Sequence, residues 1–109
     1  MNKFDEALLN AIDEILRYTL GDTSTQIIYN YIENIFFPKT EIPNNLDKFS
    51  DELRKLLGDG RGQILGSAPI LKEAIAERLC KKLGTELQGR LPVAFPTFIR
   101  QLKEKYNAE

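Results

Sequence analysis

The chain holds no histidine, no tryptophan, one cysteine and one methionine among its 109 residues. Without histidine it lacks the side chain that most readily moves a proton near neutral pH and the commonest transition-metal ligand. Cys80 has no partner for an internal disulfide, which points to a reducing compartment. Long apolar runs are missing too. No stretch approaches the roughly 20 apolar residues of a membrane span, and the N-terminus is acidic and amphipathic rather than basic and then apolar, so no leader is expected. These absences predict a cytoplasmic protein and exclude a membrane partner.

Strong charge of one sign is also lacking, since the net charge is -1. The halves differ: residues 1–60 carry six Lys or Arg against eleven Asp or Glu, whereas residues 61–109 carry nine against five. This polarity could orient self-association or draw an acidic partner to the second half, or reflect no more than charge preferences at helix ends. With 42% hydrophobic and 28% charged residues the composition is globular. At this length, residues 1–109 are expected to form one domain that needs no staples.

What is present is helical periodicity. From Lys3 to Leu20 the positions Phe4, Leu8, Ile12, Ile15 and Thr19 recur at spacings of three and four, flanked by Leu9, Leu16 and Leu20. Gly21 supplies a stop. Thr23 with Gln26 reads as a capping box opening a second helix that buries Ile27, Ile28, Tyr31, Ile32, Ile35 and Phe36, ended by Pro38. Phe37–Asn45 reads as a linker, with Glu41 and Ile42 before Pro43 favouring extended geometry across the surface.

A third helix begins near Leu46, with Leu46, Phe49, Leu53, Leu56 and Leu57 on one face and Asp47, Lys48, Asp51, Glu52, Arg54 and Lys55 on the other. Gly58 is its expected left-handed end. Ser67 with Pro69 opens a fourth helix with Leu71, Ala74, Ile75, Leu79 and Leu83 on its core side, stopped by Gly84. A polar loop from Thr85 to Pro92 leads to a last helix in which Phe95, Phe98, Ile99, Leu102 and Tyr106 share a side. No convincing strand and no internal repeat occurs; Gln26–Tyr31 tolerates β structure but sits in a helical pattern. The fold class is therefore all-α, a compact bundle of about five helices with a glycine-rich helix-helix junction.

That junction holds Gly58, Gly60, Gly62 and Gly66, four of the seven glycines. It lacks the lysine of a phosphate-binding P-loop, and Gln63 stands at the third glycine of a dinucleotide pattern; both patterns also need a preceding strand. In a helix-hairpin-helix turn Asp59 would occupy the hydrophobic position and repel a phosphate. A structural junction is the main reading and a ligand or partner contact the other. Whether Gly60–Gly66 forms a separate helical turn stays open.

The acidic pairs Asp5-Glu6, Asp13-Glu14 and Asp51-Glu52 fall on solvent-facing sides, and no two carboxylates are spaced so that one must rise in pKa. No catalytic residue, cofactor or metal is expected. Cys80, beside Lys81 and Lys82, reads as a small buried hydrophobe rather than a reactive thiol. Lys72, Arg78, Lys81 and Lys82 are interleaved with Glu73 and Glu77, favouring pairing along the helix. Tyr29, Phe36 and Phe37 read as core and linker packing; exposure of Tyr29 and Phe37 would make them the leading partner surface.

The succession Leu20-Gly21, Ile28-Tyr29-x-Tyr31-Ile32-Glu33, Lys39-x-Glu41-Ile42-Pro43, Phe49 through Leu53 to Leu57-Gly58-x-Gly60, Ile75 through Leu79 to Lys82-Leu83-Gly84, and a Phe98-Ile99 helix resembles an archaeal family of small output domains. The family is best known from ammonia-oxidising (thaumarchaeal) archaea, alone or attached to signalling modules. The resemblance implies an all-helical module that relays a state through contacts, with no catalytic residues to carry over. Tyr31 stands where the family pattern has histidine and Arg61 where alanine follows the second glycine, and Ser67–Pro69 interrupts a more continuous helix.

The expected function is thus a non-catalytic regulatory or protein-interaction module in signal transduction. Its candidate surfaces are Gly58, Asp59, Gly60, Arg61 and Gly62, and the Tyr29, Phe36, Phe37 group. A protein partner is expected, with a homodimer as one form of it. A DNA-binding regulator, requiring a basic face from Lys72, Arg78, Lys81, Lys82, Arg90 and Arg100, is the first alternative, with nucleic acid the less favoured partner. A small-molecule sensor with an apolar pocket near the glycine turn is the second.

Overall fold

Asn2 opens the first helix by accepting a hydrogen bond on its side-chain oxygen from the Asp5 backbone N–H at 2.8 Å, while its amide group donates to the Asp5 carboxylate at 3.2 Å. The computed structural model describes residues 2–58, 67–87 and 89–108. Helix α1 runs Lys3–Ile35, a 3-10 helix covers Lys39–Asn44, and α2 (Leu46–Leu57), α3 (Ala68–Lys82) and α4 (Phe95–Ala108) follow. The described residues form no strand.

Helix α1 is broken by one residue. Gly21 lies at φ 87°, ψ 167°, a combination open essentially to glycine alone, and divides α1 into an N-terminal arm up to residue 20 and a C-terminal arm from residue 22. These arms are the first two helices the periodicity predicts. The expected Thr23 capping box is not formed: Thr23 is exposed, and Gln26 turns forward to Asn30 at 3.0 Å. Instead the Thr25 hydroxyl donates to the Gly21 carbonyl at 2.7 Å, which lets Thr25 sit fully buried.

The N-terminal arm buries Phe4, Leu8, Ile12, Ile15 and Leu16 of the predicted stripe, with Ala11 added, while Thr19, Leu9 and Leu20 are half-buried. The C-terminal arm departs from its prediction. It buries Thr25, Ile28, Tyr29 and Ile32, and leaves Ile27 and Ile35 62% and 58% exposed. The spacing 25, 28/29, 32 fills one side of the helix, so the ladder 27, 31, 35 is pushed to its edge.

The linker is a second departure. It does not cross the surface extended, because Lys39–Asn44 coil into the 3-10 helix around Pro43 and place Ile42 wholly inside the core. The short helix holds itself by backbone bonds from Glu41 N–H to the Pro38 carbonyl (2.8 Å) and from Asn45 N–H to the Ile42 carbonyl (2.9 Å). Burying one isoleucine outweighs the extended preference of a residue before proline.

Helix α2 buries Leu46, Phe49 and Leu53 as predicted, but Leu56 is 42% exposed and Glu52, assigned to the solvent face, is 2% exposed. Helix α3 is central and packs against α1, α2 and α4. It buries Leu71, Ile75, Leu79 and Cys80, with Ala74 and Leu83 packed at the margin. Pro69 lies in its first turn. Its C-terminus closes with Gly84 N–H on the Lys81 carbonyl (3.2 Å) and Thr85 N–H on the Cys80 carbonyl (2.9 Å), the paired bonds of a Schellman end. Phe95 and Ile99 of α4 complete one continuous core, with Phe98 and Leu102 against it.

Candidate functional site at the end of helix α1

Tyr29 and Tyr31 lie two positions apart on the C-terminal arm, so helical geometry sends their side chains about 200° apart. Each hydroxyl donates to a carboxylate of another segment: Tyr29 Oη to Asp13 Oδ1 at 3.0 Å, and Tyr31 Oη to Glu52 Oε1 at 2.9 Å. A lysine completes each pair. Lys39 Nζ lies 4.4 Å from the centre of the Tyr29 ring and 4.0 Å from Asp13. Lys48 Nζ lies 4.3 Å from the Phe36 ring centre and 3.2 Å from Glu52, which Lys55 also meets at 3.2 Å. Phe36 stands edge-on to Tyr31 at 5.9 Å and touches Phe37 at 6.5 Å.

The candidate aromatic group is therefore divided. Tyr29 is 2% exposed and belongs to the core, whereas Phe36 and Phe37 are half-buried at the end of the arm. Of the glycine-junction candidates, Gly58 ends α2 with φ 83°, its N–H on the Arg54 carbonyl (2.8 Å) and its own carbonyl accepting from Ala68 N–H (3.1 Å). Its φ is positive as expected, but ψ is 167°, so the chain leaves the helix extended rather than in a left-handed turn. Asp59, Gly60, Arg61 and Gly62 lie outside the described residues, as does the question of a helical turn over Gly60–Gly66.

Sequence reasoning missed that Asp5 and Glu52 are buried and that Asp13 and Glu14, though partly exposed, are paired. Asp5 is 8% exposed and held by Lys103 of α4 at 3.0 Å; Asp13 takes two bonds from Arg17, at 2.9 and 3.0 Å, besides that from Tyr29. Glu14, also assigned to solvent, bridges to α3 through Arg78 (3.1 Å) and Lys82 (2.6 Å). The excess of lysine and arginine in the second half was legible, but which of those cations meets which carboxylate is readable only once the helices are placed. The basic set proposed for DNA is largely engaged in this way: Arg78 and Lys82 on Glu14, Lys81 on Glu77 at 3.5 Å, and Arg100 on Asp47 at 3.1 Å.

Arg17, Tyr29, Tyr31, Asp51, Glu52, Lys55 and Cys80 each have a pKa moved away from neutrality. Burial, then the charge and hydrogen bond of Asp13, push the Tyr29 phenol well up. The hydrogen bond to Glu52 is the main cause that raises Tyr31. Glu52 is pushed up by burial, but the bonds from Tyr31, Lys55 and Lys48 together hold it below the usual carboxylate range. Hydrogen bonds from Arg54 and Lys55 lower Asp51. The Cys80 thiol is raised by burial and then by Glu77, in keeping with a packed rather than a reactive cysteine. Among the described residues no group of three or more acidic or sulfur side chains is placed to hold a metal, and no helix is long and apolar enough to cross a membrane.

The sequence matches no protein-family model, and no curated protein or solved structure is similar to it at a significant level. The arrangement itself says what these residues do: tyrosine, carboxylate and lysine join the two arms of α1, the 3-10 helix and α2 into one corner. Beside that corner, Ile27 and Ile35 face outward with half-buried Tyr31 midway between them.

Proposed function

We propose that the chain is a non-catalytic regulatory or protein-interaction module of the kind the archaeal signalling output domains represent, working in the cytoplasm through the outer side of the C-terminal arm of α1. The observation that carries this reading is the exposure of Ile27 and Ile35, at 62% and 58%, on an arm whose Ile28, Tyr29 and Ile32 are buried. One exposed isoleucine is ordinary; two on one ladder with Tyr31, next to Phe36 and Phe37, make an apolar edge that a partner can cover. The pKa shifts away from neutrality support contact rather than proton transfer.

The test is capture from the native cell extract with wild-type protein and an Ile27→Asp/Ile35→Asp variant, alongside a DNA-shift assay over a range of salt. One protein enriched by the wild type and lost at least tenfold by a variant with wild-type circular dichroism supports the reading. A salt-sensitive DNA shift with no protein partner overturns it.

A further inference from the structure

Helix α1 is helical on both sides of Gly21, and that single residue folds it back. Drawn straight, its 33 residues would be about 50 Å long, beyond the 36 Å of the molecule's longest axis, so a straight α1 cannot stay on its own core. The N-terminal arm meets the rest of the molecule through side chains that can be handed over as a set. Asp13 bonds Tyr29, Glu14 bonds Arg78 and Lys82 of α3, Asp5 bonds Lys103 of α4, and Phe4 meets Tyr106 at 5.9 Å. The Tyr31–Glu52 bond lies wholly on the other side of the hinge and need not change.

We propose that Gly21 is a hinge about which α1 straightens into one uninterrupted helix, so that the N-terminal arm docks on the body of a second copy and a domain-swapped dimer stands in equilibrium with the folded-back monomer. The second copy is the one occupant that fits, because it offers each contact the arm gives up. What differs between the two forms is the hinge: straightening gives residue 21 helical backbone angles in place of φ 87°, ψ 167°, and loses the Arg17–Asp22 bridge (3.1 Å) that spans the bend. The swap does not use Ile27 or Ile35, so it stands apart from the function proposed above.

Gly21→Ala tests the hinge directly. A Cβ there meets nothing within 4 Å, so the substitution acts on the backbone alone: alanine resists φ 87° and favours the straight helix. Light scattering after size exclusion should show dimerisation tightened about tenfold. Two charge-reversed variants test the exchange, namely Glu14→Lys and Arg78→Glu/Lys82→Glu. Each is mismatched as a monomer. In a swapped heterodimer, Lys on one arm meets Glu on the partner body, while native Glu14 meets native Arg78 and Lys82. Refolded together they should form a heterodimer by native mass spectrometry at several times the level of either homodimer. A Gly21→Ala protein that stays monomeric overturns the proposal, as does a dimer whose charge variants fail to cross-pair, since it would then form through another surface. Should Gly21→Ala fail to fold, the charge-reversed pair, which leaves the hinge untouched, decides alone.

Discussion

Ile42 shows how one side chain can decide the path of a segment. It is fully buried between two prolines in a stretch that reads as a surface linker, and its burial draws Lys39–Asn44 inward. Ile42→Ala should lower stability by about 2–4 kcal/mol, read as a fall in the urea midpoint, whereas Thr40→Ala on the exposed side should stay within about 0.5 kcal/mol. Glu52 is the second such residue. Its three donors hold it charged in the folded chain below the pH at which a free carboxylate protonates. Since its folded pKa is depressed, its contribution is complete above the unfolded value, about 4.3, and is lost as pH falls through the lower folded value. Urea midpoints should therefore drop between neutral pH and about pH 3, and Glu52→Gln should weaken the protein at neutral pH while making that acid slope shallower. An unchanged slope would show that Glu52 is not among the carboxylates responsible.

At the scale of the element, ends were easier to read than faces. Gly21, Gly58 and Gly84 each stop a helix where their position in the periodic pattern predicts, and each takes a positive φ. Gly84 closes α3 with both bonds of a Schellman end, and a Cβ there would meet nothing within 4 Å. Gly84→Ala should thus cost only the backbone strain, about 1–2 kcal/mol, and a thermal melt should show the loss without any change in helix content. Faces were harder. The C-terminal arm of α1 has apolar residues at 27, 28, 29, 31, 32 and 35, enough to cover most of its circumference, so periodicity alone could not choose between Tyr29 and Ile27 for the inside. Tyr29 went in because Asp13 could accept its hydroxyl, and Ile27 went out because its side of the helix has nothing above it. On α2 the same contest exchanged Glu52 for Leu56, with two lysines and Tyr31 compensating the buried charge.

Across the whole molecule, one core joins every helix, with α3 packed against α1, α2 and α4. The radius of gyration, 13.1 Å, equals the value of about 13 Å that a chain of this length has when folded as one body. Such a molecule should unfold as a unit. Helix content by circular dichroism and the burial of Tyr29 by tyrosine fluorescence should follow one curve in urea, and two separated transitions would show that the arms of α1 part from the body before it melts. Charge binds the same body from outside: the acidic first half and basic second half meet as Asp5–Lys103, Glu14–Arg78 and Asp47–Arg100. The polarity along the sequence is spent, in large part, within the fold itself.

The sequence by itself determined the helical class, the five α-helical stretches, the stops at glycine and the stripes of the first arm, α3 and α4. These follow from local terms, the 3.6-residue repeat of apolar side chains and the backbone freedom of glycine, which act between residues a few positions apart. Tertiary structure alone decided which side of the C-terminal arm faces inward, that Ile42 is core rather than linker, and that Asp5, Asp13 and Glu52 hold the bundle together instead of facing water. Each of those outcomes depends on a partner 16 or more positions away, such as Tyr29 for Asp13, Tyr31 for Glu52 and Lys103 for Asp5. A hydrogen bond or ion pair of that kind has no signature in spacing, because it exists only after packing has brought the two chain segments within 3 Å or so.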